Sequence, residues 1–369
     1  MPPPSDIRKL MLPHLVEAEA YAAIDPPDVL AKEAGIPEGQ IIKLDGNENL
    51  YGPAPRVKEA LASYKSYHIY PDPQQRKVRH ALAEYIGATP DRIVAGVGSD
   101  ELIDLLLRLF VGAGDTVIQA APTFAMYATF THLVGGKLVS VPRTETFDVD
   151  VPAIRRVANH RAKVIFLASP NNPTGNLVSE SDVRQLLELG VLLVVDEAYS
   201  EFAGKSLVHL SPQYPNLVVL RTFSKWAGLA GLRIGYGVMD PAVAERLLVI
   251  KPPYNISVAS EVAVVASLQD KELLLGRVAH LVQEREWLFD QLLHMPNLTP
   301  IPSSANFVLC RLSQGKGSQV YRALARRGIF VRYYDSSLLR DYIRVSVGLR
   351  YHNQALVSAL HDILTEGAD

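Results

Sequence analysis

A lysine follows directly on a predicted buried strand, in the segment Thr222-Phe223-Ser224-Lys225, and Arg233 stands eight positions later. Most lysines are solvated surface residues, so a lysine in this place is unusual. An amine that loses its water on burial deprotonates readily and can then act as a nucleophile or a base. The segment is a candidate centre for amine chemistry if other polar groups converge on it.

Two further predicted strands end in polar residues. Residues 191–195 run into Asp196-Glu197-Ala198-Tyr199, and residues 164–168 run into the tight-turn sequence Ser169-Pro170-Asn171-Asn172-Pro173-Thr174-Gly175. Ligands of open α/β sheets bind at the carboxyl edge of the strands, so these side chains are candidates for one site. The alternatives are that Asp196 caps a helix and that the second segment is only a loop.

The segment Gly96-Val97-Gly98-Ser99-Asp100-Glu101 opens a predicted helix. Small residues before a helix start leave backbone N–H groups free to hold a phosphate at the positive end of the helix dipole. The segment is no Walker loop, because the required lysine is missing. It also lacks the third glycine of a dinucleotide fingerprint, which disfavours an NAD-dependent enzyme. Ser-Asp-Glu is also an ordinary capping sequence, so that alternative stays open.

The elements that would position these groups alternate along the chain. Between about residues 91 and 240, apolar runs rich in β-branched residues alternate with amphipathic stretches, which predicts a mostly parallel sheet covered on both faces. The predicted strands are residues 115–120, 163–168, 191–195, 217–220 and 234–238, and the predicted helices are residues 100–110, 124–134 and 181–189. After about residue 255, long helices precede strands at 306–311, 329–332 and 342–347, which predicts a second, smaller α+β domain.

Composition excludes several classes of protein. The chain has 369 residues, enough for about two domains, and its net charge of −2 provides no basic field for binding nucleic acid. Its one cysteine, Cys310, allows no internal disulfide, and its ten histidines form no ligand-spaced metal cluster. The first residues lack the apolar segment of a secretion signal, and no apolar run approaches the roughly 20 residues that cross a bilayer. We therefore expect a cytoplasmic protein without metal, membrane or nucleic-acid partners.

Taken together, the separate segments resemble a known family. Ser-Pro-Asn-Asn-Pro-Thr-Gly followed by Thr-Phe-Ser-Lys is specific to fold-type I pyridoxal-phosphate aminotransferases, and the chain most closely resembles the histidinol-phosphate aminotransferases, from residues 41–49 through 342–348. The resemblance implies an α/β fold with a mostly parallel sheet of the seven-stranded type, sandwiched by helices, and a smaller α+β domain. It implies an N-terminal arm with part of the small domain in residues 1–52, a large cofactor-binding domain in 53–253, and a C-terminal small domain in 254–369.

The resemblance also implies roles around pyridoxal phosphate. Lys225 resembles the lysine that holds the cofactor as a Schiff base and then moves the substrate Cα proton. Asp196 resembles the carboxylate that pairs with the pyridine nitrogen and keeps the ring an electron acceptor. Asn172 and Tyr199 resemble the residues that hydrogen-bond the ring phenolate oxygen. Phe124 resembles the aromatic that stacks on the ring, where many relatives carry tyrosine, although it could equally belong to a hydrophobic helix face.

A cradle for the cofactor phosphate is implied as well, since a near-dianion needs neutralisation. It comprises the backbone of Ser99, Asp100 and Glu101, the hydroxyls of Thr222 and Ser224, and the guanidinium of Arg233. Beside this cradle, Tyr70 resembles a tyrosine that reaches across a dimer interface to the neighbouring subunit's phosphate. The resemblance therefore implies a homodimer with shared active sites.

Three further residues are similar to substrate-binding residues of the family. Arg344 resembles the general anion anchor, and Arg332 resembles the second arginine of the histidinol-phosphate enzymes, because the planar guanidinium binds two oxygens at once. Tyr21 lies in an arm that, by resemblance, folds over the neighbouring active site and touches the substrate. The alternatives are that Arg332 is a surface charge at a strand end and that the arm is a packing element.

The resemblance implies reversible transamination between L-histidinol phosphate and 2-oxoglutarate, giving imidazole-acetol phosphate and L-glutamate, a step of histidine biosynthesis. An aromatic amino acid aminotransferase or a threonine-phosphate decarboxylase of the same fold type would use almost the same motifs. A non-catalytic pyridoxal-phosphate-binding regulator is an alternative of another class. Such regulators usually carry a DNA-binding module, and no basic helix-turn-helix extension precedes residue 40.

Overall fold

A computed structural model of the chain describes residues 6–17, 21–313 and 315–366. Parts of the predicted N-terminal arm, residues 1–5 and 18–20, lie outside the described residues, as do 314 and 367–369 of the predicted C-terminal domain. Twelve strands occur among the described residues: β1 (Ile42–Leu44), β2 (Ile93–Val97), β3 (Thr116–Ala121), β4 (Lys137–Pro142), β5 (Ala162–Ala168), β6 (Leu192–Asp196), β7 (Leu217–Thr222), β8 (Ile234–Val238), β9 (Leu298–Ile301), β10 (Phe307–Leu312), β11 (Ile329–Tyr333) and β12 (Tyr342–Ser346).

Helices cover the sheets that these strands form. The described part of the chain has α1 (Pro13–Val16), α2 (Pro27–Ala34), α3 (Pro55–Ser63), α4 (Arg76–Ile86), α5 (Gly98–Phe110), α6 (Met126–Leu133), α7 (Val151–Val157), α8 (Glu180–Leu187), α9 (Ser200–Ala203), α10 (Pro241–Ile250), α11 (Val258–Gln269), α12 (Lys271–Leu293), α13 (Gly317–Arg326) and α14 (Arg350–Glu366). No described helix is long and apolar enough to cross a membrane.

The larger sheet has seven strands in the order β2-β8-β7-β6-β5-β3-β4. Its pairings are parallel except those of β8, which runs antiparallel to both β2 and β7. The predicted α/β fold with a mostly parallel sheet is confirmed, and the predicted strands and helices agree with the structure to within two residues at each end. The sequence interpretation missed β2, whose glycine interrupts the apolar pattern, and β4, an edge strand with alternating exposure.

The central strands β5, β6 and β7 are buried on both faces. Alternate residues of β6 enter different apolar cores, because successive side chains of a strand point to opposite faces. Leu193 and Val195 pack into one core, and Leu192 and Val194 pack into the other. This double burial explains the uninterrupted apolar runs of the sequence and leaves the strand ends as the places where polar groups collect.

The smaller sheet has five strands in the order β1-β11-β12-β10-β9. Strand β1 from the N-terminal part of the chain pairs in parallel with β11, while the other pairings are antiparallel. Chain segments before residue 52 and after residue 254 therefore build this sheet together, which agrees with the predicted α+β unit. The boundaries at residues 52 and 253 stay a proposal.

Candidate active site

Lys225 lies in the loop that follows β7, where its partly buried amine donates a hydrogen bond to the Gly46 carbonyl at 3.0 Å. Burial lowers the pKa of this amine to about 8, and the nearby positive charges of Arg344 and Arg233 act in the same direction. The negative charges of Glu48 and Asp100 oppose that shift. The amine can therefore give up its proton at a lower pH than an ordinary lysine.

Asp196 ends β6 and is buried. Its carboxylate accepts hydrogen bonds from the Tyr127 hydroxyl at 2.8 Å and the Ala198 backbone N–H at 3.0 Å. Burial raises the pKa of Asp196 to about 6, so the carboxylate is still mostly ionised at neutral pH. Burial raises the pKa of Asp100 as well, and the positive charge of Lys225 opposes the rise at both carboxyls, which places the three charged groups in one site.

The other side of the site is built by Tyr199 and Asn172. The Tyr199 hydroxyl accepts a hydrogen bond from the Asn47 amide at 2.9 Å, and burial raises its pKa to about 12. The Asn172 carbonyl accepts from Arg344 Nη1 at 2.6 Å, while Arg344 Nη2 donates to the Asp45 carbonyl. Arg344 therefore reaches the strand-end loops of the larger sheet from the smaller one.

Asn47 is a site residue to which the sequence analysis gave no role. Its backbone has a left-handed φ of 53°, and both its backbone N–H and its side-chain oxygen bond the Ser346 hydroxyl, at 2.8 and 2.9 Å. These bonds aim the Asn47 amide at Tyr199 from the smaller sheet. Asn47 lies within residues 41–49, a segment that resembles the family. That resemblance did not indicate which side chain of the segment would have a role.

The predicted phosphate cradle lies where α5 begins. In the register of the sheet, Gly235 of β8 pairs with Gly96 of β2 on one side and with Thr222 of β7 on the other. A Cβ on Gly235 would lie 2.5 Å from the Ser99 nitrogen, so only glycine permits this close approach. The antiparallel strand thus brings the start of α5 and the lysine loop together.

Arg233 completes this corner. Its guanidinium bonds Asp100 at 3.1 Å, and a Cβ on Gly98 would lie 2.7 Å from Arg233 Nη2. The hydroxyls of Thr222 and Ser224 lie 3.0 Å apart on the lysine loop. A helix N-terminus, two hydroxyls and a guanidinium therefore converge at one place, which is a donor set suited to an anion.

Glu101 has a capping role in this structure. Its carboxylate accepts from the Val97 backbone N–H and from the Asn255 amide, both at 2.7 Å. The side chain of Glu101 therefore caps the N-terminus of α5, which is the alternative considered for Ser99-Asp100-Glu101 in the sequence. Its backbone contribution to an anion site stays a prediction.

Phe124 precedes α6 and is partly buried, with its ring edge-on to Tyr127 at a centroid distance of 5.6 Å. Tyr127 in turn stacks on Phe166 of β5 at 4.7 Å. Phe124 is thus next to the residue that bonds Asp196. Its stacking on a cofactor ring stays a prediction.

Arg332 and Arg344 face each other in the register of β11 and β12, so both side chains project from the same face of the smaller sheet. Arg332 donates to the carbonyls of Ala22 and Ala23, at 3.4 Å for the latter. The surface-charge alternative for Arg332 is not favoured, because its guanidinium is held by the arm. The two arginines form a pair suited to anionic substrates.

Tyr21 lies in the segment whose carbonyls hold Arg332. Burial raises the pKa of Tyr334, the charges of Arg344 and Arg332 oppose this rise, and the nearby Tyr21 phenol adds to it. Residues 21–24 therefore lie over the site of their own chain, with Ile24 against Gly46. The expected contact of Tyr21 with a neighbouring active site stays a prediction. Tyr334, two positions after Arg332, was missed in the sequence.

Tyr70 differs from the other predicted residues, because it is 77% exposed and stacks on Tyr254 with ring centroids 4.5 Å apart. Asn255, the next residue after Tyr254, bonds Glu101 near the start of α5. The exposed aromatic pair therefore lies on the outside of the anion corner. Within the described ranges, no group of His, Cys, Asp or Glu side chains could hold a metal ion.

Comparisons with known proteins agree with this geometry. Residues 39–360 match the family model of class I and II aminotransferases. The chain is 48% identical to the histidinol-phosphate aminotransferase of Roseiflexus castenholzii, over 98% of this chain and 100% of that protein. It is 45% identical to the chloroplastic histidinol-phosphate aminotransferase of Nicotiana tabacum, over 94% of this chain and 85% of that protein.

The fold also has a similar solved structure. The crystal structure of histidinol-phosphate aminotransferase from Sinorhizobium meliloti in complex with pyridoxal-5'-phosphate superposes with a TM-score of 0.87 at 28% identity, over 97% of this chain and 98% of that one. The L-threonine-O-3-phosphate decarboxylase of Porphyromonas gingivalis gives a TM-score of 0.78 at 20% identity, over 88% of this chain, which indicates a shared fold.

Proposed function

The chain belongs to the class I and II aminotransferases, and from this membership we propose that it transfers an amino group between L-histidinol phosphate and 2-oxoglutarate. The products are imidazole-acetol phosphate and L-glutamate, and the step belongs to histidine biosynthesis. Relatives that carry this enzyme's name match nearly the full length of the chain at 44–48% identity. The observation that carries the proposal is the convergence of Lys225, Asp196 and the Arg233 corner at one edge of the larger sheet.

The residues present fit pyridoxal 5'-phosphate as the cofactor. The cofactor requires three kinds of group, and the site offers all three. They are an amine whose pKa is lowered to about 8, a buried carboxylate and an anion-binding corner lined by glycines. When bound, the cofactor supplies an aldehyde that combines with amines and a ring that accepts electrons from the substrate Cα. Lys225 would hold the aldehyde carbon, Asp196 the ring nitrogen, and Arg233 with the start of α5 the phosphate.

The protein's own groups then divide the work. The Lys225 amine would take the proton from the substrate Cα as a general base, which its lowered pKa allows near neutral pH. With the cofactor bound, the Asp196 carboxylate would keep a proton on the ring nitrogen, Asn172 and Tyr199 would hydrogen-bond the ring oxygen, and Phe124 would cover one ring face.

The paired arginines explain how one site accepts two substrates. Histidinol phosphate carries a phosphate ester where 2-oxoglutarate carries a carboxylate, and a guanidinium binds either anion through two parallel hydrogen bonds. Arg344 is the deeper anchor because it is buried, and Arg332 lies nearer the arm. The shared chemistry of the two anions therefore suffices for both half-reactions.

Steady-state rates on histidinol phosphate, phenylalanine, tyrosine and phosphothreonine test the proposal, with 2-oxoglutarate as acceptor. We expect the highest kcat/KM for histidinol phosphate. A preference for the aromatic amino acids would instead identify the protein as an aromatic aminotransferase. Release of carbon dioxide from phosphothreonine would instead identify it as a decarboxylase. The purified protein should also show a visible absorption band that borohydride removes, with the label on Lys225.

Arg332→Gln is expected to raise the KM for histidinol phosphate about tenfold or more while changing kcat less, because one charge-assisted contact is lost. The initial rate as a function of histidinol phosphate concentration measures it. Arg326→Gln, at an exposed arginine of α13, is the matched control. Equal KM values for the two variants would remove Arg332 from substrate binding.

We further propose that the protein acts as a cytoplasmic homodimer in which Tyr70 reaches the partner's cofactor phosphate. The exposed stack of Tyr70 on Tyr254 supports this, because two large aromatic side chains on the surface beside the anion corner are typical of an interface. Tyr70→Phe is expected to weaken cofactor retention during dialysis without changing the dimer mass. Unchanged cofactor affinity would remove Tyr70 from the site.

A further inference from the structure

Tyr127 is fully buried in the first turn of α6. Its ring lies almost parallel to Phe166, with an interplanar angle of 6°, and this packing points its hydroxyl at Oδ2 of Asp196. The hydrogen bond of 2.8 Å joins two residues on different elements of the larger sheet's carboxyl edge. Neither the family motifs nor the spacing of the sequence singled out this tyrosine.

The Tyr127 hydroxyl is one of only two described hydrogen-bond donors to Asp196, the other being the Ala198 backbone. Both bonds lower the pKa of a carboxyl that burial raises. A buried carboxylate with few donors is costly, so each donor contributes strongly to its ionisation. The bond to Oδ2 also fixes the plane of the carboxylate, because Ala198 holds the other oxygen.

Arg143 is a buried arginine whose charge acts on Tyr127. Arg143 donates to the carbonyls of Ala120 at 3.1 Å and Phe147 at 3.0 Å, while its Nη2 has no hydrogen-bond partner among the described residues. Burial lowers the pKa of Arg143 to about 10, which leaves it charged at neutral pH. Its charge lowers the pKa of the Tyr127 phenol, which burial raises overall.

We propose that Tyr127, through its hydrogen bond to Oδ2, is a positioning residue that keeps Asp196 ionised and oriented toward the ring nitrogen of the cofactor. This role rests on the proposed function. It acts through Asp196, so the expected signature is a change in how cofactor affinity depends on pH. The other titratable and charged groups that act on Asp196 or Tyr127 are Asp100, Lys225, Tyr199 and Arg143.

The test compares Tyr127→Phe with Tyr236→Phe. Tyr236 is equally buried, and its hydroxyl has no partner in the described part of the chain, so its variant makes the same chemical change away from Asp196. The affinity of the cofactor-free protein for pyridoxal phosphate is measured from about pH 5 to about pH 8. For Tyr127→Phe we expect about a tenfold weaker affinity at neutral pH and an acid-side midpoint about one pH unit higher. For Tyr236→Phe we expect neither change.

A second measurement separates this role from a general packing effect. In an Asp196→Asn background, Tyr127→Phe should cost almost nothing further, because the carboxylate on which it acts is gone. The same loss in both backgrounds, or an unchanged midpoint in Tyr127→Phe, would overturn the role of Tyr127 alone. If the wild-type protein binds no pyridoxal phosphate, the proposed function itself fails together with this role.

Discussion

Replacing Lys225 by methionine is expected to lower the rate of amino-group transfer by about 10⁴-fold or more, because the group that takes and returns the Cα proton disappears. Methionine matches the lysine side chain as far as Cε, with sulfur in place of Cδ, and lacks the terminal amine. Single-turnover absorbance of the protein mixed with histidinol phosphate measures the loss. Lys271→Met, at an exposed lysine that begins α12, should keep the wild-type rate.

Stability provides the control for this variant. Burial lowers the folded-state pKa of Lys225 to about 8, below the 10.5 of an ordinary lysine, so the charged amine is disfavoured in the fold. In the cofactor-free protein this cost is present below about pH 8 and declines as the pH rises toward the unfolded value. The methionine variant should therefore unfold at the same or a higher temperature at neutral pH. A rate within tenfold of wild type would contradict the assignment of Lys225.

Asp196→Asn is expected to lower the rate by about 10²- to 10³-fold, the range for removing one preorganised electrostatic contact. A neutral amide cannot hold a proton on the ring nitrogen, so the ring accepts electrons less well. The rate of the first half-reaction and the pH dependence of cofactor affinity both measure this effect. Asp290→Asn, at an exposed position of α12, is the matched control.

The pH dependence has a definite sign. The pKa of Asp196 is raised to about 6, so in the cofactor-free protein the carboxylate becomes protonated as the pH falls through that value. Cofactor affinity of the wild type should therefore decline below about pH 6. That acid-side decline should be much smaller in Asp196→Asn, and an identical decline in both proteins would show that another group controls it.

The sequence was most informative where burial is complete. Strands β5, β6 and β7 form continuous apolar runs in the sequence because both of their faces are covered, and the polar residues that follow them lie at one edge of the sheet. Lys225, Asp196 and Arg233, which the sequence analysis grouped from separate segments, lie near one another in the structure. The direction of β8 was not predictable, since Ile234–Val238 is apolar whichever way the strand runs.

Residues that act through distant partners stayed hidden. Asn47 bonds Tyr199 across 152 positions, and Tyr127 bonds Asp196 across 69. Each looks ordinary in its own segment, an amide in a loop and an aromatic in a helix. Their partners depend on strand order and register, which local patterns do not specify.

The antiparallel strand β8 has a mechanical consequence. The loop of residues 223–233 leaves β7 and returns into β8, and the pairing of Thr222 with Gly235 clamps its two ends together. Lys225 lies near one end of this loop and Arg233 lies at the other end. The strand pairing therefore limits how far the two residues can move apart.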